Sequence, residues 1–245
     1  YDLFGGGGVI SFEALKNKQF KQVVYNEINT AVVELLKKIK ADGVTDEFYN
    51  WITKEEFNSL KKGNNWKSGL ALTCWSFGSN QREYLYGKHL ENIKLLLHNI
   101  VVYRCENSLM EFNHSYNATI DLDCIDGKTI NERRLQLKKQ IKTEFKNLQH
   151  LENTIRLQSL ERLESLERLE SLESLERLER LIIFNTSYED VEITSPLDET
   201  IIYCDIPYKG TARYRDSKKF DYDKFYNWVK TAHLKFMLVN INVSY

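Results

Sequence analysis

Four consecutive glycines, Gly5 to Gly8, stand between a short apolar stretch, Tyr1-Asp2-Leu3-Phe4, and a helix-forming stretch from Val9 to Asn17. Glycine accepts left-handed backbone and lets the main chain come close to a neighbour or ligand, so a run like this marks a turn between strand and helix. Val23-Val24-Tyr25 is a second short apolar strand, ending at Asn26-Glu27-Ile28-Asn29. Thr30 suits the cap of a helix to about Ala41, with Val32, Val33, Leu35, Leu36 and Ile39 on one broad face. Strand, turn, helix, strand and helix in this order predict a parallel sheet with helices on its faces.

The same texture returns near the other end. Leu181-Ile182-Ile183-Phe184 is apolar, and Thr200-Ile201-Ile202-Tyr203-Cys204 is a near-continuous hydrophobic run of the kind buried on both faces of a parallel sheet. That run stops at Asp205-Ile206-Pro207-Tyr208. A basic loop follows (Lys209 to Lys219, with Arg213 and Arg215), then a helix around Asp223 to Ala232 and a last strand from Phe236 to about Val243.

Between the two lies unlike material. From Thr45 to about Asn147, Trp51, Trp66, Trp75 and many Tyr and Phe are mixed with Lys, Arg and Asn without long periodicity. Leu90 to Val102 reads as a helix passing into a strand. Asn131 to Lys146 reads as a helix with a basic face of Arg133, Arg134, Lys138, Lys139, Lys142 and Lys146. Next, leucines from Leu157 to Leu181 recur at every third position in a Leu-Glu-Arg/Leu-Glu-Ser alternation. Three residues turn an α-helix by about 300°, so these leucines spiral around it and build no heptad seam. Composition favours a helix supported by i,i+4 pairs such as Glu164/Arg168, and a length-variable insert is the plainest role for it.

Charge limits the function classes. The 34 Lys and Arg against 35 Asp and Glu leave a net charge of −1, which excludes a uniformly basic nucleic-acid coat but leaves local patches. No apolar run reaches the roughly 18 residues of a membrane span, and the opening residues do not resemble a signal peptide. Cys74, Cys105, Cys124 and Cys204 are scattered, which suits reduced thiols in a cytosol and no metal site. The missing initiator Met and the two prolines suggest a segment of something longer.

Three features carry chemistry. Phe4-x-Gly6-x-Gly8 lies between strand and helix, where backbone and helix N-terminus can meet a ligand. Glu27 ends the next strand, where a nucleotide-binding sheet places a carboxylate for ribose hydroxyls. Asp205-Ile206-Pro207-Tyr208 puts an acid, a rigid turn and an aromatic at a strand end, which suits a flat, amine-bearing substrate. Each alone is equally compatible with an ordinary turn or a solvated acid.

Together, in this order, the chain resembles the S-adenosylmethionine-dependent DNA adenine N6-methyltransferases, in particular the D12-class phage and restriction type. Asp2 to Gly8 is similar to the family's FxGxG loop, and Val23 to Asn29 to its acidic second motif. Trp75 to Arg82 and Tyr84 to Lys88 resemble a stretch frequent in phage members. Asn185 to Val191 resembles the segment before the catalytic strand, and Asp205 to Thr211 the DPPY motif with its extension. The resemblance implies an α/β Rossmann-like methyltransferase sheet with an inserted, largely helical target-recognition region. It implies a core from 1–48 and 182–245, and a recognition region at 49–181 that includes the repeat at 157–181.

By the same resemblance Phe4, Gly5, Gly6, Gly7 and Gly8 line S-adenosylmethionine, and Glu27 takes its ribose hydroxyls. Asp205 and the Ile206 carbonyl accept the N–H groups of a flipped adenine, Pro207 stiffens the turn, and Tyr208 stacks on the base. Lys209, Arg213 and Arg215, with the Arg133–Lys146 face, meet phosphates; Gln81 and Arg82 are candidate base readers. The expected partner is double-stranded DNA, without membrane or metal, for a monomer in the cytoplasm of a bacterial or phage-infected cell. Ile206 replaces the family's first proline, which predicts a looser turn and a reduced rate. The family's upstream glycine-lysine segment and terminal hairpin do not match residues here, which points to an incomplete enzyme. N4-cytosine methylation, or a DNA-binding remnant without activity, are the alternative readings.

Overall fold

The computed structural model describes residues 1–77, 80–144, 178–207, 220–231 and 236–238. Strand β1 (Val23–Asn26) is buried along its whole length, as an unbroken apolar run requires of a strand covered on both faces. It pairs in parallel with β2 (Leu181–Phe184), Val23 opposite Leu181 and Asn26 opposite Phe184. On its other side lies the opening segment, where Asp2 bridges in parallel to both Tyr25 and Tyr203. Asp2 N–H donates to the Val24 carbonyl at 2.8 Å, and Tyr203 N–H donates to the Tyr1 carbonyl at 2.7 Å. Strand β3 (Ile202–Cys204) then pairs in parallel with β4 (Phe236–Leu238). The order across the sheet is therefore β2, β1, opening segment, β3, β4.

This order places the functional edge. The chain steps outward from the opening segment through β1 to β2, then returns to the segment's other side for β3 and β4. The direction of winding reverses between the opening segment and β3, and a parallel α/β sheet leaves a crevice at the carboxyl ends of such strands. Phe4 and Asp205 follow those two strands. Helix α1 (Val9–Lys16) opens from the glycine turn, and α2 (Thr30–Asp42) follows β1. Asn29, not Thr30, caps α2: its Oδ1 accepts the Ala31 N–H at 3.1 Å, and Thr30 is the first helical residue.

Between residues 46 and 144 the described regular elements are helices. A 3₁₀ turn (Asp46–Tyr49) leads to α3 (Lys54–Leu60), α4 (Trp66–Cys74), α5 (Lys88–Tyr103), α6 (Glu106–Tyr116) and α7 (Ile130–Glu144). Helix α4 lies directly on α2: a Cβ added to Gly69 would stand 2.1 Å from the Ala31 carbonyl oxygen, so the glycine permits the approach. The aromatics that the sequence mixes without long periodicity pack on one another, with Trp51 stacked on Tyr86 at 5.5 Å and edge-on to Trp75 at 5.0 Å. One continuous apolar core joins α1, β1 and α2 to α3 through α7, crossing the expected boundary at residue 48 without a break. The passage from helix to strand expected inside Leu90–Val102 does not occur. Ile100 and Val101 are buried on a single helix whose end at Tyr103 is turned by Arg104 in left-handed conformation.

The repeat through residue 177 lies outside the described residues. Its end is anchored: Leu178 is buried in the core, and the Arg180 guanidinium donates to the Phe20 carbonyl at 2.6 Å and to the Leu15 carbonyl. On the sheet's other face a smaller core gathers Leu3, Val24, Val191, Ile202, Cys204 and Ile206 around Phe225 of helix α8 (Tyr222–Thr231). All four cysteines are free thiols.

Candidate active site

The glycine turn is shaped by Tyr25 beneath it. A Cβ on Gly5 would stand 2.1 Å from the Tyr25 ring, and the Tyr25 hydroxyl donates to the Gly6 carbonyl at 2.6 Å. Gly6 has φ +48° and Gly8 φ +79°, left-handed values that favour glycine. Gly8 caps α1 with backbone alone, so the helix opens at the turn without a side chain in front of it. A Cβ on Gly6 would meet no heavy atom within 4 Å, leaving open space above the turn where a ligand can approach the backbone. Gly7 is exposed beside it.

Glu27 is joined to this turn. Its Oε2 accepts the Gly6 N–H at 2.8 Å and its Oε1 accepts the Asn29 N–H at 2.8 Å. Each carboxylate oxygen has a further lone-pair site, so the group can still accept two hydroxyls. Burial raises the Glu27 carboxyl above its usual value, against the lowering effect of the N–H groups of Asn29 and Gly6.

Side chains that sequence reasoning passed over hold the edge together. Asn26 is buried; its Nδ2 donates to the carbonyls of Leu3 and Thr186, each at 3.1 Å, and its Oδ1 accepts the Thr186 N–H at 3.2 Å. Asn185 Nδ2 donates to the Glu27 carbonyl at 2.8 Å, and the Thr30 hydroxyl donates to Asn185 Oδ1. Three strand exits are thereby tied to one another. The available signal was an asparagine at the end of the Val23–Asn26 run and another directly after Leu181–Phe184.

Across the switch point, Asp205 leaves β3 exposed, yet its surroundings raise its carboxyl by desolvation. Ile206 is buried in the smaller core, so the residue standing where the family has proline fixes the turn by packing. The Pro207 carbonyl accepts the Tyr222 hydroxyl at 2.8 Å, which ties the turn to α8. Phe4 lies among aromatics, its ring centroid 5.3 Å from Tyr188 and 5.7 Å from both Phe220 and Phe225. Tyr208, Lys209, Arg213 and Arg215 lie outside the described residues.

The expected basic face of α7 is only partly available. Arg133 donates to the carbonyls of Val101 at 2.7 Å and Gly127 at 3.0 Å, covering the C-terminal end of α5. Arg134 is buried and donates twice to Asn131 Oδ1. Lys139 and Lys142 remain exposed. Gln81 Oε1 accepts from Asn29 Nδ2 at 2.9 Å, and the Arg82 carbonyl accepts from Lys61. Among the described residues no His, Cys, Asp and Glu side chains gather to hold a metal ion, and no helix is long and apolar enough to cross a membrane.

A parallel sheet with a glycine turn, a strand-end carboxylate bonded to it and an acid across the switch point defines the Rossmann-like α/β class of nucleotide-ligand domains. Residues 1–228 match the model of the D12 class N6 adenine-specific DNA methyltransferases. The chain belongs to that family, and it is an enzyme that methylates adenine N6 in DNA. No curated protein and no solved structure matches it.

Proposed function

We propose that the enzyme takes its methyl group from S-adenosylmethionine bound at the carboxyl edge of the sheet and delivers it to an adenine flipped out of duplex DNA. The observation that carries this reading is the placement of the Phe4–Gly8 turn with Glu27 on one side of the switch point and Asp205 on the other. The residues fit the cofactor: the space above Gly6 admits it, and Glu27 keeps acceptor sites for the two hydroxyls of a ribose. Gly5 to Gly8 and the half-buried Phe4 would line it. When bound, S-adenosylmethionine supplies a methyl group on a sulfonium that keeps the electron pair of the breaking C–S bond.

The chain's own task is to prepare the acceptor. The N6 lone pair of adenine is delocalised into the ring, and the base must leave the stack to be reached. Asp205 and the Ile206 carbonyl accept hydrogen bonds from the two N6 N–H groups, returning electron density to nitrogen, and the one proton that nitrogen sheds on methylation leaves by way of Asp205 to solvent. The desolvation that raises the Asp205 carboxyl strengthens it as an acceptor. Ile206 and Tyr222 hold the turn so that both acceptors keep their spacing. Tyr208 stacks on the base, a contact worth roughly 1–3 kcal/mol.

Residues 49–181 form the target-recognition region, with Arg82 toward base edges and Lys139 and Lys142 toward phosphates, joined there by Lys209, Arg213 and Arg215 of the catalytic core. Transfer of labelled methyl to unmethylated duplex by wild type and Asp205→Ala tests the reading. The expected loss in Asp205→Ala is about a hundredfold or more, the scale of removing one group that answers developing charge. Equal incorporation by the two proteins overturns it.

A further inference from the structure

Asn29 does three things at once. Its backbone N–H donates to Glu27 Oε1 at 2.8 Å, its Oδ1 caps α2, and its Nδ2 donates to Gln81 Oε1 at 2.9 Å. The third bond leaves the sheet edge for the 75–86 stretch.

Gln81 is fixed from behind. Its φ of +59° is left-handed, a conformation that a residue with a side chain adopts at a cost and keeps only when its surroundings demand it. Its N–H donates to Ser76 Oγ at 3.1 Å, and the Ser76 hydroxyl donates to the Leu72 carbonyl of α4 at 2.6 Å. Helix α4 rests on α2 at the Gly69–Ala31 approach, and Asn29 caps α2. The path from Glu27 through Asn29, Gln81, Ser76 and Leu72 therefore returns to the helix whose cap it supports. A residue whose backbone is held on one side and whose side chain is bonded on the other orients the group it touches.

We propose that Gln81 is a positioning residue of the cofactor site: through Asn29 it sets the Glu27 carboxylate, so that the 75–86 stretch completes the cofactor edge and Gln81 does not read bases. The proposal rests on Glu27 as the ribose-holding group. It gives the stretch beside the glycine turn a second role, coupling the inserted helices to cofactor affinity.

Gln81→Gly separates the possibilities, because glycine is at ease at this φ and the substitution removes the side chain that Asn29 bonds while keeping the backbone N–H to Ser76. The expected result is an unchanged or higher thermal midpoint with S-adenosylmethionine bound roughly three- to tenfold more weakly in calorimetry, the scale of one lost hydrogen bond. The KM for cofactor rises in step, while kcat at saturating cofactor and the KM for duplex stay at wild-type values. Asn29→Ala combined with Gln81→Gly loses no more affinity than Asn29→Ala alone, since both remove one path. Unchanged cofactor affinity with lost discrimination among duplex sequences overturns the proposal and makes Gln81 a base reader. Glu27→Ala is the control: if it leaves cofactor affinity intact, the ribose role falls and this inference with it. If Glu27→Ala weakens binding and Gln81→Gly does not, only the inference falls.

Discussion

Replacing Asn26 by alanine removes the side chain that joins three strand exits, and its cost follows from the bonds it makes. The Leu3 carbonyl is buried where Asn26 Nδ2 reaches it, and leaving such a group unpaired costs about 1–3 kcal/mol. The two bonds to Thr186 are partly buried and contribute about 0.5–1.5 kcal/mol each. Asn26→Ala is therefore expected to lose about 2–6 kcal/mol of unfolding free energy, read by urea denaturation with linear extrapolation. Asn26→Asp sharpens the test. It keeps an acceptor for the Thr186 N–H but turns the donor into a buried carboxylate facing two carbonyl oxygens. It should be less stable than the alanine variant at neutral pH and recover as acid protonates it, because the folded state raises that carboxyl. A loss below about 1 kcal/mol for alanine, or an aspartate variant as stable as wild type at neutral pH, refutes the reasoning.

Two further outcomes follow from the same geometry. The Glu27 carboxyl lies above its usual 4.5, so as pH falls through its raised value the folded protein gains a proton that the unfolded chain does not yet bind. Stability attributable to Glu27 therefore rises on acidification within that window while cofactor affinity falls, since the protonated acid offers the ribose fewer acceptor sites. Glu27→Gln flattens both trends in calorimetry and thermal melts, at a lower affinity throughout; two trends of the same sign would be incompatible with this account. Arg133→Met is expected to lose about 1–3 kcal/mol of stability by uncovering the α5 carbonyls, and to leave the salt dependence of DNA binding as in wild type. A fall of about one in the slope of log affinity against log salt would restore Arg133 to the phosphate-binding face.

What could be read from residues alone was whatever depends on local pattern. The glycine run, the strands at Val23–Asn26 and Ile202–Cys204 and the carboxylate after the first of them are short-range features, and the parallel order follows from their alternation with helices. The helix at Lys88–Tyr103 was obscured by its β-branched Ile100-Val101-Val102 ending, which carries strand propensity until burial and the Arg133 guanidinium complete a helix there. Arg133 and Arg134 looked like a solvated face because helical periodicity does not reveal what packs against it. Asn26 and Asn185 carry no role in the sequence reading, since their bonds join residues that only the folded sheet brings together. The cap of α2 was misplaced by one position because Asn29 and Thr30 are both good caps, and only Asn29 is placed to accept from Ala31.

The sheet's adjacency of β1 and β2 has a consequence for how such a chain can vary. Asn185 reaches Glu27 across 158 positions of sequence, so this edge closes only after a very long stretch of chain has folded between its two sides. The entropy of closing it grows only with the logarithm of length, and doubling the intervening chain would cost about 0.6 kcal/mol. Residues added in a surface turn between the two strands are thus entropically cheap, whereas loss of any of the helices α2 to α7 would remove part of the core, and pairing partners so distant makes their meeting a slow event in folding. One residue gained between Asn26 and Asn29 would have the opposite effect, moving Glu27 off the Gly6 amide and Asn29 off its helix together. The molecule joins surface turns that can take added chain at little entropic cost to a four-residue corner that can take none.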